Sequence, residues 1–363
     1  MKPINDGFSD RIAIGLLIRS FPPDLVDRVI VECGRAGQRN RLLPPRTTVY
    51  LVLTMCMFPQ ASYGQVAHAL ADGLAWATQA HGPSHLPTGA AIFKARARLG
   101  AEPLASLFTE STSATACGRV AIRYGRWRLV GLDGVTLGVP NSAENREQYG
   151  PSPAAERSRS TVAQADVIAL AECGSHFIAR AALGHPRRAR SALARDVCKS
   201  LASDDLLLAD QKFSDLSLLP VVRACGADAL LRLDGCPRMV MHSVLPDGSY
   251  LCDVIEQSGH RRIRAGMLRV IQTAAQPRKD AGAPTRLAAH TFVTTILDHE
   301  TAPAHSLVSL FRHRWDLGAS LQTFGPLRDG CQLILRSRWP GGVEQELWGY
   351  LLVHHAVRSL LHP

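Results

Sequence analysis

The feature that most constrains the fold is a series of short, almost wholly apolar runs in the second half of the chain. Residues 128–139 (RLVGLDGVTLGV) and 205–210 (DLLLAD) are two of these runs; the first contains one aspartate and the second begins and ends with one. Runs this short are typical of strands that are buried on both faces of a sheet. Because helix-like segments, residues 187–202 and 215–224, alternate with such runs, the pattern predicts a layered α/β fold.

Composition excludes several classes of protein. With 363 residues, of which 46% are hydrophobic, the chain is too apolar for a disordered protein and too long for one ordinary core. The nine cysteines include no Cys-x-x-Cys pair, so a zinc site of that spacing is not expected. The start has no layout of a secretory signal, and no apolar stretch is long enough for a bilayer. We therefore expect a reduced, cytoplasmic protein with no membrane partner.

The first third of the chain has helical periodicity, from about residue 9 to residue 112. Its most basic helix follows a capping residue, Thr88, and carries Lys94, Arg96 and Arg98. Together with a net charge of +10, this helix favours contact with DNA phosphates. The alternative is an amphipathic surface helix whose charges are solvated.

Domain boundaries follow from changes of pattern along the chain. Residues 1–115 are predicted to form a helical N-terminal DNA-binding domain. Residues 227–297 hold five strand candidates with no helix between them, which predicts a β-rich insertion. The insertion would divide an α/β domain into residues 116–226 and 298–363, which the family resemblance given below implies to be the catalytic domain.

Asp133 and Asp210 are the candidates for chemistry, because each interrupts or follows an apolar strand. Ligands in open α/β sheets gather at the carboxyl ends of strands. Two acids there would repel each other unless a cation lay between them, and oxygen ligands suit Mg²⁺ or Mn²⁺. Taken singly, each aspartate also fits an ordinary turn or helix cap.

Several longer segments resemble the transposases of the insertion-sequence-four family. They are LVGLDGVTLGVPNSAENREQYG, VIALAECG, LLLADQKF and LVSLFRHRW, with an N-terminal stretch beginning RNRLLPPRTTVYLVL and a final helix, VEQELWGYLLVHHAVRSLL. The resemblance implies a ribonuclease-H-like mixed sheet flanked by helices, with a β-rich insertion and an α-helical N-terminal domain. It also implies three catalytic, metal-binding acids (Asp, Asp and Glu), of which Asp133 and Asp210 match the first two. Arg314, on the family's signature helix, matches its DNA-contacting end.

The third acid is where this sequence departs from the family. The signature Tyr-x2-Arg-x3-Glu-x6-Lys places Phe311 at the Tyr, Arg314 at the Arg and Gly318 at the Glu. A glycine has no side chain to bind a metal, and inside a helix it costs about 1 kcal/mol relative to alanine. Replacement by Asp316, or by the more distant acids Glu300, Glu344 and Glu346, would need an irregular geometry.

A second departure follows the second aspartate. The family usually has Asp-Arg-Gly-Phe there, whereas this chain has Asp210-Gln211-Lys212-Phe213. The basic Arg190 also occupies a position where the family has an acid.

These features together predict a transposase of cut-and-paste type. It would bind the inverted repeats of an insertion sequence and catalyse metal-dependent cleavage and transfer of strands into target DNA, with activity impaired in this copy. The implied cofactor is Mg²⁺ or Mn²⁺, and the implied partner is DNA. A homodimer in the DNA complex is also compatible with the resemblance. The alternative is a catalytically inactive DNA-binding relic, or a competitor of an intact transposase.

Overall fold

The fold was analysed in a computed structural model of the chain. The structure describes residues 7–37, 42–78, 86–115, 121–150, 163–185, 190–213, 216–233, 238–258, 261–273, 276–278, 286–288, 290–313 and 335–361.

Six helices occupy the N-terminal third, as the periodicity predicts. They are α1 Gly7–Ser20, α2 Pro23–Glu32, α3 Pro45–Met57, α4 Tyr63–Thr78, α5 Gly89–Leu99 and α6 Glu102–Thr115. Proline opens α2 and α3, where its missing N–H costs no hydrogen bond. The predicted cap of α5 is confirmed, because the Thr88 hydroxyl accepts a hydrogen bond from the Ala91 amide at 3.3 Å.

The apolar runs of the second half form one mixed sheet. Its first strands and helices are β1 Arg123–Tyr124, β2 Trp127–Gly138, α7 Ala143–Gln148, β3 Gln164–Glu172, β4 Ile178–Gly184, α8 Arg190–Cys198, β5 Asp205–Ala209, α9 Leu219–Ala224 and β6 Asp228–Leu233. They lie in the order β4-β3-β2-β5-β6. β2, β3 and β4 are antiparallel neighbours, whereas β5 is parallel to both β2 and β6. The predicted mixed sheet flanked by helices is therefore confirmed.

The predicted β-rich segment continues the same sheet. It contains β7 Arg238–Val244, β8 Tyr250–Ser258, β9 Arg261–Gln272, β10 Gln276–Arg278, β11 Arg286–Ala288 and β12 Thr291–Thr294. β10 and β11 are the exception, because they pair with each other in a separate two-stranded sheet. β12 pairs with β6 and is followed outward by β9, β8 and β7. The boundary predicted at residue 227 is therefore too early, because β6 is itself the parallel neighbour of β5 and the added strands begin after it.

Two further helices complete the described chain. α10 spans Ala304–Leu310 and passes into a 3-10 turn, Phe311–His313, while α11 spans Pro340–Leu361. α10 lies directly before the positions that the family resemblance assigns to its signature helix, and the residues from 314 to 334 lie outside the described residues. Within the described chain, no helix combines the length and the apolar character that crossing a membrane requires.

The two faces of the sheet pack against different helices. On one face, Leu129 and Leu206 share a core with the N-terminal helices and α11, and we call this side the helical face. On the other face, Leu132 and Ala209 pack against α8 and the residues around α9. Strands covered on both sides must be apolar along their whole length, which explains the runs seen in the sequence. A charged side chain in such a strand is therefore the exception that points to a site.

Candidate active site

The structure brings Asp133 and Asp210 to neighbouring positions. Leu132 of β2 is the register partner of Ala209, the last residue of β5, so the two aspartates come next on adjacent parallel strands. Adjacent strands lie about 4.8 Å apart. The two carboxylates therefore meet where β5 ends, as predicted from the carboxyl ends of strands.

Both aspartates lie on the helical face of the sheet. Side chains alternate along a strand, and Leu132 points to the opposite face, which directs Asp133 to the helical face. Asp210 pairs with Arg232 of β6, whose guanidinium lies 5.6 Å from the ring centre of Phe311, a residue of the helical-face core. The aspartates are almost fully buried, with 3% and 9% of their surfaces exposed.

Each carboxylate is in contact with a cation of the chain. Arg232 Nη2 lies 2.6 Å from Asp210 Oδ1, and Lys212 Nζ lies 3.4 Å from Asp133 Oδ1. The attraction between opposite charges at these distances offsets part of the cost of burying the two carboxylates. Sequence reasoning noted Lys212 only as a departure from the family, because nothing in the sequence connects it with a residue on another strand.

The segment after Asp210 is held tightly against β2. The Gln211 amide donates to Asp210 Oδ1 at 2.6 Å, and the Phe213 amide donates to the Asp210 carbonyl at 2.7 Å, forming a 3-10 turn. Phe213 is buried beside Gly134, where a Cβ atom would lie 3.0 Å from the Phe213 ring and 2.3 Å from Ile168 Cδ1. Gly134 is therefore required for the close approach of this turn to β2.

Another buried carboxylate, that of Asp166, lies near Gly134 on the face of the sheet opposite to Asp133 and Asp210. Asp166 of β3 accepts a hydrogen bond from the Thr136 hydroxyl at 2.5 Å and lies 3.7 Å from Arg190 Nε. Arg190, at the position where the family has an acid, is thus the partner of Asp166. These residues lie on the face opposite to Asp133, so Asp166 does not belong to the same candidate site.

The described end of the signature helix approaches the aspartates. Phe311 contacts Arg232 and packs edge-on against Phe292 at 5.2 Å, and Arg232 in turn holds Asp210. Arg314 and Gly318, which sequence analysis assigned to DNA contact and to the vacant third-ligand position, lie outside the described residues. Glu346, one of the acids weighed as a replacement, is bound to Arg96 and to the backbone amide of Arg336.

The three cations of α5 do not share one environment. Lys94 and Arg98 are exposed, and neither has a hydrogen-bond or ion-pair partner within the part of the chain that the structure describes. Arg98 also lines an open cavity of about 380 Å³ with Arg35 and Thr48. We call Lys94 and Arg98 the basic face of α5.

Arg96 is a correction to the sequence analysis, which assigned it to DNA. It is only 2% exposed, and its guanidinium donates to Gln345 Oε1 at 3.0 Å and to the Ser337 hydroxyl at 2.9 Å. The same group lies 3.4 Å from Glu346 Oε1. A buried guanidinium that is satisfied by internal acceptors cannot contact DNA phosphates, so the prediction for Arg96 is wrong.

Comparison with known proteins agrees with this architecture. Residues 11–109 match the family model described as the N-terminal region of insertion element 4 transposases. The chain is also 24% identical over 348 residues to the transposase InsG for insertion sequence element IS4 of Escherichia coli K12, covering 93% of this chain and 74% of InsG. The chain is thus similar to transposases of the insertion-sequence-four family, through its N-terminal region and along most of its length.

Two further proteins are similar to this chain. InsZ of Escherichia coli K12 is 25% identical over 218 residues, which cover 59% of this chain and 69% of InsZ. Among solved structures, the piggyBac transposase in a synaptic complex with hairpin DNA matches with a TM-score of 0.43 and 9% identity. That match covers 99% of this chain and 77% of the piggyBac chain.

Proposed function

We propose that this chain is a cut-and-paste transposase that binds the inverted-repeat ends of its element, and that strand cleavage and transfer are impaired in this copy. The observation that carries the proposal is the meeting of Asp133 and Asp210 on adjacent strands, on one face of the sheet. These are the two positions at which the family resemblance puts acids. The named relative InsG, a transposase for an insertion sequence, supports the same function.

The basic face of α5 supports the DNA-binding part of the proposal. Lys94 and Arg98 are one helical turn apart, so their side chains lie on the same side of α5. Since the described chain offers them no acidic partner, their charges are available to phosphates. Arg98 shares its cavity with Arg35, which is bound to Glu102 at 3.0 Å and adds a second guanidinium to the cavity wall.

The impairment is argued from the acids that remain. The family's divalent ion, Mg²⁺ or Mn²⁺, would stabilise charge on the attacking and leaving oxygens of strand transfer, and Mg²⁺ requires about six ligands. Gly318 supplies no ligand, and the described residues contain no group of three or more His, Cys, Asp or Glu that could hold a metal. Asp133 and Asp210 each already contact a cation. The residues present therefore do not complete the family's metal site.

A second candidate function is favoured by the same observations. A chain that keeps the fold and the basic face but lacks a complete metal site would bind inverted repeats without cutting them. Such a protein would compete with an intact transposase for the same DNA ends. This candidate differs from the first only in the absence of residual cleavage.

A paired DNA assay tests the proposal. Gel shifts with the element's inverted repeats should give binding that weakens steeply with salt, and scrambled DNA should bind less tightly. Nicking of the same DNA with Mg²⁺ should be weak in the wild type and at least tenfold faster in Gly318→Glu. Adding Asp210→Ala or Asp133→Ala to Gly318→Glu should abolish the gain, whereas the surface control Asp196→Ala should keep it.

The outcomes separate the candidates. Weak nicking that is lost in Asp210→Ala supports an impaired transposase, and binding without nicking in the wild type supports the competitor. Nicking that is equally fast with and without Asp133 and Asp210 would rule out both aspartates as active-site residues. Absence of any preference for inverted repeats would refute the DNA-binding proposal.

A further inference from the structure

Lys212 lies beside the acid pair, at a position where the family resemblance implies a different residue. Its ammonium lies 3.4 Å from Asp133 Oδ1, while its side chain is 52% exposed and that of Asp133 only 5%. The lysine thus reaches inward from solvent to a buried carboxylate. At the corresponding position the family resemblance implies a glycine, which carries no charge.

The backbone around Lys212 limits where its ammonium can go. Gln211 is hydrogen-bonded to Asp210 on one side, and Phe213 is buried beside Gly134 on the other. The turn that carries Lys212 is therefore fixed at both ends, directly beside β2. A four-carbon side chain starting from this turn has the Asp133 carboxylate within reach.

Two aspartates, one lysine and one arginine are in described contact at the acid pair, and their four charges sum to zero. Lys212 and Arg232 contribute two positive charges against the two carboxylates of Asp133 and Asp210. A divalent ion entering this arrangement would meet no net attraction from these four side chains. With an uncharged residue at position 212, the same four positions would carry one net negative charge and would attract it.

We propose that Lys212 is a built-in counter-ion of Asp133, which takes the place of a divalent metal ion and weakens metal binding at the acid pair. The inference rests on the proposed function, because it assigns Asp133 and Asp210 to the family's metal site. It identifies a second lesion in this copy, beyond the loss of the acid at Gly318. Restoring the third acid alone would then recover only part of the metal affinity.

The test measures Mn²⁺ binding to the full chain in the absence of DNA, with free Mn²⁺ determined by electron paramagnetic resonance. Lys212→Met removes the charge and keeps most of the apolar stem, and Lys212→Gln provides an independent variant. The matched control is Lys199→Met, because Lys199 is also exposed and also pairs with an aspartate, Asp196, at 2.8 Å. We expect both Lys212 variants to bind one Mn²⁺ about tenfold more tightly than the wild type and Lys199→Met.

Asp133→Asn identifies the carboxylate that is responsible. The gain in Mn²⁺ affinity should disappear in the double variant Lys212→Met/Asp133→Asn. Equal Mn²⁺ affinity of the wild type and both Lys212 variants would overturn the inference, and so would a gain that survives Asp133→Asn. Failure of the proposed function is seen separately, as a lack of preference for inverted repeats in the gel shift, which uses no metal.

Discussion

Arg96 provides the sharpest test of how the N-terminal helices are joined to the rest of the molecule. It donates hydrogen bonds from α5 to Gln345, to Ser337 and to the Gly342 carbonyl at 3.1 Å, and it pairs with Glu346. Gln345 returns two bonds of 2.8 Å to the carbonyls of Arg96 and Gly100. The substitution Arg96→Met keeps much of the apolar stem and removes the whole guanidinium.

The expected cost follows from what the substitution leaves behind. Removing one partner of a buried ion pair costs roughly 3–5 kcal/mol, because the other charge remains buried without compensation. Glu346 keeps two donors, the Ser337 hydroxyl at 2.6 Å and the Arg336 amide at 2.7 Å. We therefore expect a loss near the lower end, about 3 kcal/mol in the free energy of unfolding.

The assay is urea unfolding followed by circular dichroism, with Arg98→Met as the matched control. Arg98 lies on the same helix but is exposed, so its substitution should change stability by less than about 0.5 kcal/mol. The double variant Arg96→Met/Glu346→Gln should be more stable than the sum of the single effects predicts, by roughly 1–3 kcal/mol, because neither charge is then left alone.

Two results would refute this reasoning. If Arg96→Met unfolds within about 1 kcal/mol of the wild type, the buried network does not join α5 to α11 as described. If Arg96→Met keeps its stability but loses salt-sensitive affinity for inverted repeats, Arg96 is a DNA contact after all and the sequence prediction was right.

Three further expectations follow from single contacts. Lys94→Ala/Arg98→Ala should leave stability unchanged and reduce the slope of log affinity against log salt by about 1.8, as two lost phosphate contacts would, in a titrated gel shift. Gly134→Ala should cost about 1–3 kcal/mol in urea unfolding, since its Cβ would lie 2.3 Å from Ile168 Cδ1, whereas Gly138→Ala, with open space around it, should cost little. Burial lowers the pKa of His354 to about 3, so below pH 6.5 the unfolded chain binds a proton that the folded chain does not. The free energy of unfolding should therefore decrease as the pH is lowered from 6 to 4. The decrease should be steeper in the wild type than in His354→Leu, by about 1.4 kcal/mol per pH unit.

Local patterns predicted most of the fold because the interactions behind them are local. Apolar runs bounded by turn residues predicted β2, β3, β4 and β5, and proline and threonine marked the starts of α3 and α5. The meeting of Asp133 and Asp210 was also predictable, since parallel strands end at the same edge of a sheet. The point at which the β-rich segment begins could not be predicted from the sequence. It depends on the pairing of β12 with β6, which joins residues that are far apart in the chain.

The error at Arg96 has a clear physical origin. Residues two positions apart on a helix point about 200° away from each other, so Arg96 cannot face the same side as Lys94 and Arg98. Its neighbours on the buried side are Ile92 and Leu99, which already marked that side as apolar. What the sequence could not provide was the partner, because Glu346 lies on the last helix of the chain.

Lys212 illustrates the same limit at the candidate site. Its identity differs from the family pattern, yet its effect depends on a carboxylate on another strand, Asp133. Only the parallel register of β2 and β5 brings the two together.

The arrangement of the core is compatible with the proposed function, in which the chain keeps its fold although part of its chemistry is impaired. The strands on either side of Asp133 and Asp210 are fixed by apolar contacts on both faces, and Arg232 and Lys212 lie close enough to compensate the two carboxylates. The contacts described for these strands do not include Gly318, the residue that the family resemblance places at the third acid. The basic face of α5 also lies on a different element from the acids. We therefore expect DNA binding and strand cleavage to be separable in this protein, with substitutions at Lys94 and Arg98 acting on the first and substitutions at Gly318 and Lys212 acting on the second.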